Sequence, residues 1–227
     1  MSGVGREPLG DRVRMQDHAT DREVYIRSMA SRGHLGGLAW ATPQALRVLD
    51  AAGCDVVLVE TVGVGQSEVE IAGLADTTLV LLAPGMGDGI QAAKAGILEI
   101  GDVYVVNKAD RDGADQVVRD LRSVLNLGAD TDTWRPPIVK TIAQRGDGVD
   151  DVLAAVAKHR AMLAETGGLQ ARRARRARDE IEAIAVTALR ERFGDLHGHA
   201  DLDALAGQVA VGDLDPYAAA DRLLAAL

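Results

Sequence analysis

Three short runs of consecutive apolar residues, each rich in β-branched side chains, limit what this chain can fold into more than any other feature. They are Asp55-Val-Val-Leu-Val-Glu60, Thr78-Leu-Val-Leu-Leu-Ala83 and Asp102-Val-Tyr-Val-Val-Asn107. Hydrophobicity that is continuous rather than alternating predicts strands covered on both faces, and the stretches between the runs are long enough for crossover helices. Residues 42–52 and 88–99 are candidates for such helices. Ile138-Val-Lys-Thr141 reads as one more strand and residues 23–27 as a weaker one. The expected class is α/β, a three-layer sheet with helices on both sides.

After Gly146 the pattern becomes helical, with Val149, Val152, Val156 and Leu163 on one face and Gly167-Gly168 as a stop. A second helix is predicted over 169–193, carrying Ile181, Ile184, Leu189 and Phe193 at helical spacing. The Ala- and Leu-rich residues 201–227 break at 212–216. No strand is available beneath these helices, which divides the chain into a sheet domain over residues 1–165 and a helical arm over 166–227.

Composition narrows the function. A chain of 227 residues, 47% of them hydrophobic, can bury one ordinary core and a small appendage. A net charge of -9 opposes affinity for phosphate backbones, and 3% aromatic residues leave few stacking platforms, so no nucleic-acid partner is expected. The apolar run at 79–83 is far too short to cross a bilayer and residues 1–7 have no apolar core for a signal peptide, so the default expectation is a cytoplasmic protein with no membrane partner. Cys54 is the only cysteine, which excludes an intrachain disulfide; at the head of an apolar run it reads as a small core residue.

The sharpest chemical signal is Asn107-Lys108-Ala109-Asp110 at the carboxyl end of an apolar strand, where α/β sheets bind ligands. An Asn-Lys-x-Asp sequence there reads guanine: the carboxylate accepts from the ring N1 and the exocyclic amine, and the lysine stem covers the base. One strand upstream, Glu60 is followed three residues later by Gly63, an arrangement that suits a magnesium shell and a backbone amide offered to a terminal phosphate. Gly63-Val-Gly-Gln-Ser67 imitates a phosphate loop, but Gln66 stands where G-x-x-x-x-G-K-[ST] needs lysine. Of the four lysines, Lys94, Lys108, Lys140 and Lys158, only Lys140 precedes Ser or Thr, and Val139 precedes it where glycine is required.

Gly10-Asp-Arg-Val-Arg-Met15, Arg32-Gly-His-Leu-Gly-Gly37, Glu60-Thr-Val-Gly-Val-Gly-Gln-Ser-Glu68 and Asn107-Lys-Ala-Asp110 follow in the order and spacing of the MeaB/ArgK GTPases, the family of the methylmalonic aciduria type A protein, and the resemblance runs from Leu9 onward. It implies a SIMIBI-type P-loop NTPase sheet that binds and hydrolyses GTP with magnesium (Mg2+) and chaperones an adenosylcobalamin-dependent acyl-CoA mutase. By the same resemblance Asp11 and Glu60 are metal-shell acids, Gly63 meets the γ-phosphate, and Asn107, Lys108 and Asp110 hold the guanine of GTP or GDP. Thr141 with Ala143 forms the supporting base loop, residues 84–94 ending in Lys94 resemble an additional switch, and the C-terminal helices form a homodimer arm. The departure is upstream: the family has a P-loop and its interior strand before the Gly-Asp-Arg motif, whereas nine residues precede Gly10 here. The preferred reading is a shortened sequence, the alternative a non-catalytic pseudo-GTPase. Loss of an interior strand is expected to expose two ladder edges. Older labels in the family point to a kinase of arginine/ornithine transport systems, which nothing in these residues favours.

The weaker signals have bland readings. Arg172, Arg173, Arg175, Arg176 and Arg178 form a basic cluster, with Asp179, Glu180 and Glu182 four residues beyond the last three, so pairing along a solvated helix is expected. His197-Gly-His199 reads as a surface turn, and His18 and His34 as loop histidines.

Overall fold

The computed structural model describes residues 21–29, 41–61, 73–85, 97–127, 134–193 and 200–226. Two of the three long apolar runs form strands, β1 (Leu79–Leu82) and β2 (Val103–Val106), and Ile138–Lys140 forms β3. The three are parallel in the order β1-β2-β3, with Leu79 opposite Val103 and Tyr104 opposite Ile138. The helices are α1 (Thr42–Ala51), α2 (Ile97–Ile100), α3 (Ala114–Leu127), α4 (Val149–Glu165), α5 (Gly168–Phe193), α6 (Ala200–Ala210) and α7 (Pro216–Ala226). The chain divides into two compact units, Met1–Arg173 and Ala174–Leu227.

All four residues of β2 are buried, and pleating sends alternate side chains to opposite layers. Tyr104 and Val106 join Val80 and Leu82 beneath Val117, Val118 and Leu121 of α3. Val103 and Val105 pack instead with Ala155 of α4, flanked by Val139 and Val152. This is the predicted three-layer arrangement. Burial, with the Asp102 charge adding, pushes the Tyr104 phenol up to about 12, so it stays neutral across the physiological range.

The apolar runs do not anticipate α3, although Ala114, Val117, Val118 and Leu121 stand at i, i+3, i+4 and i+7 once the helix is seen. On α4 the buried set is Ala155, His159 and Leu163, while Val149 is exposed, so the face is rotated from the one the valines predict. Gly167, with φ of 73°, ends α4 as expected, and Gly212, with φ of 83°, separates α6 from α7. Most of the helix expected at 88–99 lies outside the described residues, which show only its end as α2.

Two expected strands are not formed. Residues 23–27 carry no ladder, and neither does the run from Asp55 to Glu60, whose Val56 and Leu58 are 73% and 86% exposed. Cys54 is exposed as well, contrary to its expected place in the core. A strand exists only through its neighbours' hydrogen bonds, and none of the described residues supplies them here. On its free side β1 has no partner among the described residues either, and Leu81 is 61% exposed.

Within the second unit, Ala219 and Leu223 of α7 are buried, whereas Ile181, Ile184 and Leu189 of α5 are exposed. Among the described residues no helix is long and apolar enough to cross a membrane.

Leu121 is fully enclosed between α3 and the sheet. Leu121→Ala leaves a cavity there and is expected to cost about 2–5 kcal/mol, read as a lower urea midpoint with an unchanged slope.

Candidate functional site

The carboxyl ends of β2 and β3 lie side by side because the strands are parallel and in register, so the two loops that leave them are neighbours. Ladder bonds continue past both strands: the Asn107 amide donates to the Leu82 carbonyl at 2.8 Å, and the Thr141 amide donates to the Val106 carbonyl at 2.9 Å. Beyond this point the loops are joined by a side chain. The Asn107 carboxamide oxygen accepts from the Thr141 hydroxyl and from the Ala143 amide, each at 3.1 Å. The Ala109 amide donates to the Thr141 carbonyl at 3.0 Å and completes the connection.

Thr141 is buried, Asn107 half-buried, and Lys108, Asp110 and Ala143 are exposed. Lys108 has φ of 57°, the left-handed conformation, and no other described residue except glycine has a positive φ. Its carbonyl accepts from the Arg111 amide at 3.0 Å, so a tight turn carries Asp110 out from the strand end. The second loop is shaped by Gly146 and Gly148, both with φ of 78°, around a bridge between Ile142 and Asp147. A methyl group on Gly148 would collide with the Lys140 carbonyl oxygen. Sequence reasoning missed Gly148, and the Gly-Asp-Gly spacing was the available signal. The Lys140 ammonium is held outside by Asp115 at 3.1 Å.

Asn107, Thr141 and Ala143 are therefore brought together as one floor, with Lys108 and Asp110 on the adjoining turn. A planar heterocycle with adjacent N–H donors suits such a site: an exposed carboxylate accepts both hydrogens, and the fixed floor costs little further ordering. Glu60 is exposed at the end of its unpaired run, and Asp11, Gly63 and Lys94 lie outside the described residues. Among the described residues no group of three or more His, Cys, Asp or Glu could hold a metal ion.

Asn107→Ala removes the acceptor of two hydrogen bonds. It is expected to raise local opening of the second loop by about 1–3 kcal/mol, roughly ten- to a hundredfold faster exchange of the Ala143 amide, with β2 unchanged. Equal exchange in both proteins means that the carboxamide does not organise the loop.

The family described as methylmalonyl Co-A mutase-associated GTPase MeaB matches residues 3–196. A Pyrococcus abyssi protein provisionally named a GTPase is 45% identical over 224 residues, which are 97% of this chain and 69% of that protein. The GTPase ArgK of Escherichia coli is 37% identical over 171 residues, 74% of this chain and 52% of its own length. A solved structure titled LAO/AO transport system kinase superposes with a TM-score of 0.63 at 27% identity, covering 80% of this chain and 60% of that one. A match of the family model over most of the chain, with relatives at this level of identity, identifies this protein as a member of the MeaB family of GTPases.

Proposed function

We propose that this protein binds GTP and GDP through Asn107, Lys108 and Asp110, and that with magnesium it hydrolyses GTP in the service of an adenosylcobalamin-dependent acyl-CoA mutase of the methylmalonyl-CoA type. The observation that carries the reading is the Asn107 carboxamide, which ties the Thr141–Ala143 loop to the end of β2. Asp110 reads the base edge, the Lys108 stem covers the ring, and the Ala143 loop closes the side. Asp11 and Glu60 are assigned to the metal, which supplies charge neutralisation at the phosphates. Gly63 is assigned to the terminal phosphate and Lys94 to the switch that relays nucleotide state. The mutase assignment follows the family's description.

Dimerisation belongs to the same proposal. Ile181, Ile184 and Leu189 of α5 are 67%, 48% and 50% exposed, more apolar surface than a solvated helix ordinarily shows, which supports an arm that meets a second copy. A cytoplasmic location is part of the reading.

The test is titration of a fluorescent GDP, with and without magnesium, in competition with ATP. The 227-residue chain is expected to bind it several orders of magnitude more weakly than a chain extended at its N-terminus by a phosphate loop. In the extended chain, Asp110→Asn should lower the preference for guanine over adenine by about ten- to a hundredfold. An unchanged preference overturns the base-reading assignment. Tight guanine-selective binding by the 227-residue chain overturns the dependence on a phosphate loop.

A further inference from the structure

The opposite end of β2 holds a buried charge cluster that the nucleotide chemistry does not use. The Asp102 carboxylate is 10% exposed and is held from several sides. The Thr78 amide donates to Oδ2 at 2.8 Å, and the Arg172 guanidinium spans both oxygens, Nη1 to Oδ2 at 2.9 Å and Nη2 to Oδ1 at 2.7 Å. Arg172 Nη1 also donates to the Asp76 carbonyl at 3.2 Å, and Arg173 pairs with the Asp76 carboxylate at 2.9 Å. The first two arginines of the basic cluster are thus drawn to the sheet end instead of pairing along their own helix.

His159 of α4 is completely buried in this cluster. Its Nδ1 lies 2.9 Å from the Thr77 hydroxyl, and its Nε2 lies 3.2 Å from Asp102 Oδ1, near enough to pair electrostatically but off-line for a well-formed hydrogen bond. The Trp134 ring covers the imidazole, centroids 4.9 Å apart, while its indole N–H donates to the Asp102 carbonyl at 2.8 Å. A proton on Nε2, facing the carboxylate, with the Thr77 hydroxyl donating to Nδ1, suits every neighbour of the neutral ring. A second proton fits less well: the Thr77 hydroxyl must turn round to accept from Nδ1, and one largely buried carboxylate must serve two cations.

We propose that Asp102, His159 and Arg172 form an acid-released clamp on the first turns of α5. When His159 takes a proton from solvent, the imidazolium competes with the Arg172 guanidinium for the single carboxylate, and the start of α5 detaches from the sheet end. The groups that face the imidazole are Asp102 before β2, Arg172 on α5, Thr77 before β1 and Trp134 before β3. Burial holds the His159 pKa below its ordinary value; the Asp102 charge opposes this and the Arg172 charge reinforces it. A group whose pKa is depressed by folding in this way leaves the clamp fully formed above about pH 6.5, the ordinary histidine value, and weakens it as the pH falls below.

The structure also indicates which part yields. Arg172 is 33% exposed and joins the cluster through polar contacts, and the Arg173–Asp76 pair is solvent-screened. Ala155 and Leu163 fasten α4 by buried apolar packing, which a proton does not alter. The clamp holds residues at the end of the first unit, whose boundary falls between Arg173 and Ala174.

Hydrogen exchange of the whole chain from about pH 7.5 to about pH 5.5, corrected for intrinsic rates, tests this. Protection of amides 169–175 is expected to fall about tenfold or more at the acid end while amides 103–106 and 152–163 keep theirs. With Trp40→Phe as background, Trp134 fluorescence should be quenched with the same midpoint. His159→Gln, which can donate to Asp102 and accept from Thr77 without charging, should abolish both changes. Should that variant fail to fold, Arg172→Gln should show the unprotected helix start already at about pH 7.5. Simultaneous loss of protection in all three segments, or an α5 start that stays protected in acid or in Arg172→Gln, overturns the clamp.

Discussion

Everything in the first unit depends on the burial of β2 on both faces. A parallel strand with no exposed side chain needs a layer above and below, and α3 and α4 supply them through Leu121 on one side and Ala155 on the other. Dispersion and hydrophobic burial fix the strand tightly enough for its two polar ends to be used. Asn107 leaves at the carboxyl end and Asp102 enters at the amino end, each within hydrogen-bond distance of its partners, 3.1 Å to Thr141 and 2.9 Å to Arg172, on either side of the same four buried residues.

The two ends solve different electrostatic problems. At Asn107 a neutral amide accepts two donors, and the neighbouring Asp110 carboxylate is exposed to solvent. At Asp102 a buried carboxylate is surrounded by a backbone amide, a guanidinium and an imidazole, because an ionised group without such partners could not remain in the interior. One end is an open site and the other a closed network, and the difference is solvent access.

Much of the first unit was legible because its signals are local. Runs of branched apolar residues mark β1 and β2, glycine marks the end of α4, and the Asn-Lys-Ala-Asp sequence marks the turn that leaves β2. Signals that need a neighbour failed. Val56 and Leu58 have the pattern of a strand interior, but hydrogen-bond partners decide whether a strand forms, and the same gap leaves Cys54 exposed. His159 sits at a position where periodicity looks for an apolar residue, and its burial depends on Asp102, Thr77 and Arg172, far away in sequence. The basic cluster reads as a solvated face until Arg172 and Arg173 are seen to reach Asp102 and Asp76.

The sequence by itself determined the α/β class, the two best strands, the helical C-terminal region and the guanine-type motif, because each rests on residues adjacent along the chain or at a fixed helical period. The tertiary structure alone decided that Asn107 ties its turn to Thr141 and Ala143, that Gly148 must lack a side chain beside the Lys140 carbonyl, and that Asp102 gathers His159 and Arg172. The contacts of Asn107 and Asp102 join residues about 30 to 70 positions apart. Such separations are closed only when parallel strands and their covering helices pack, and no local pattern encodes which distant donor a buried acceptor will meet.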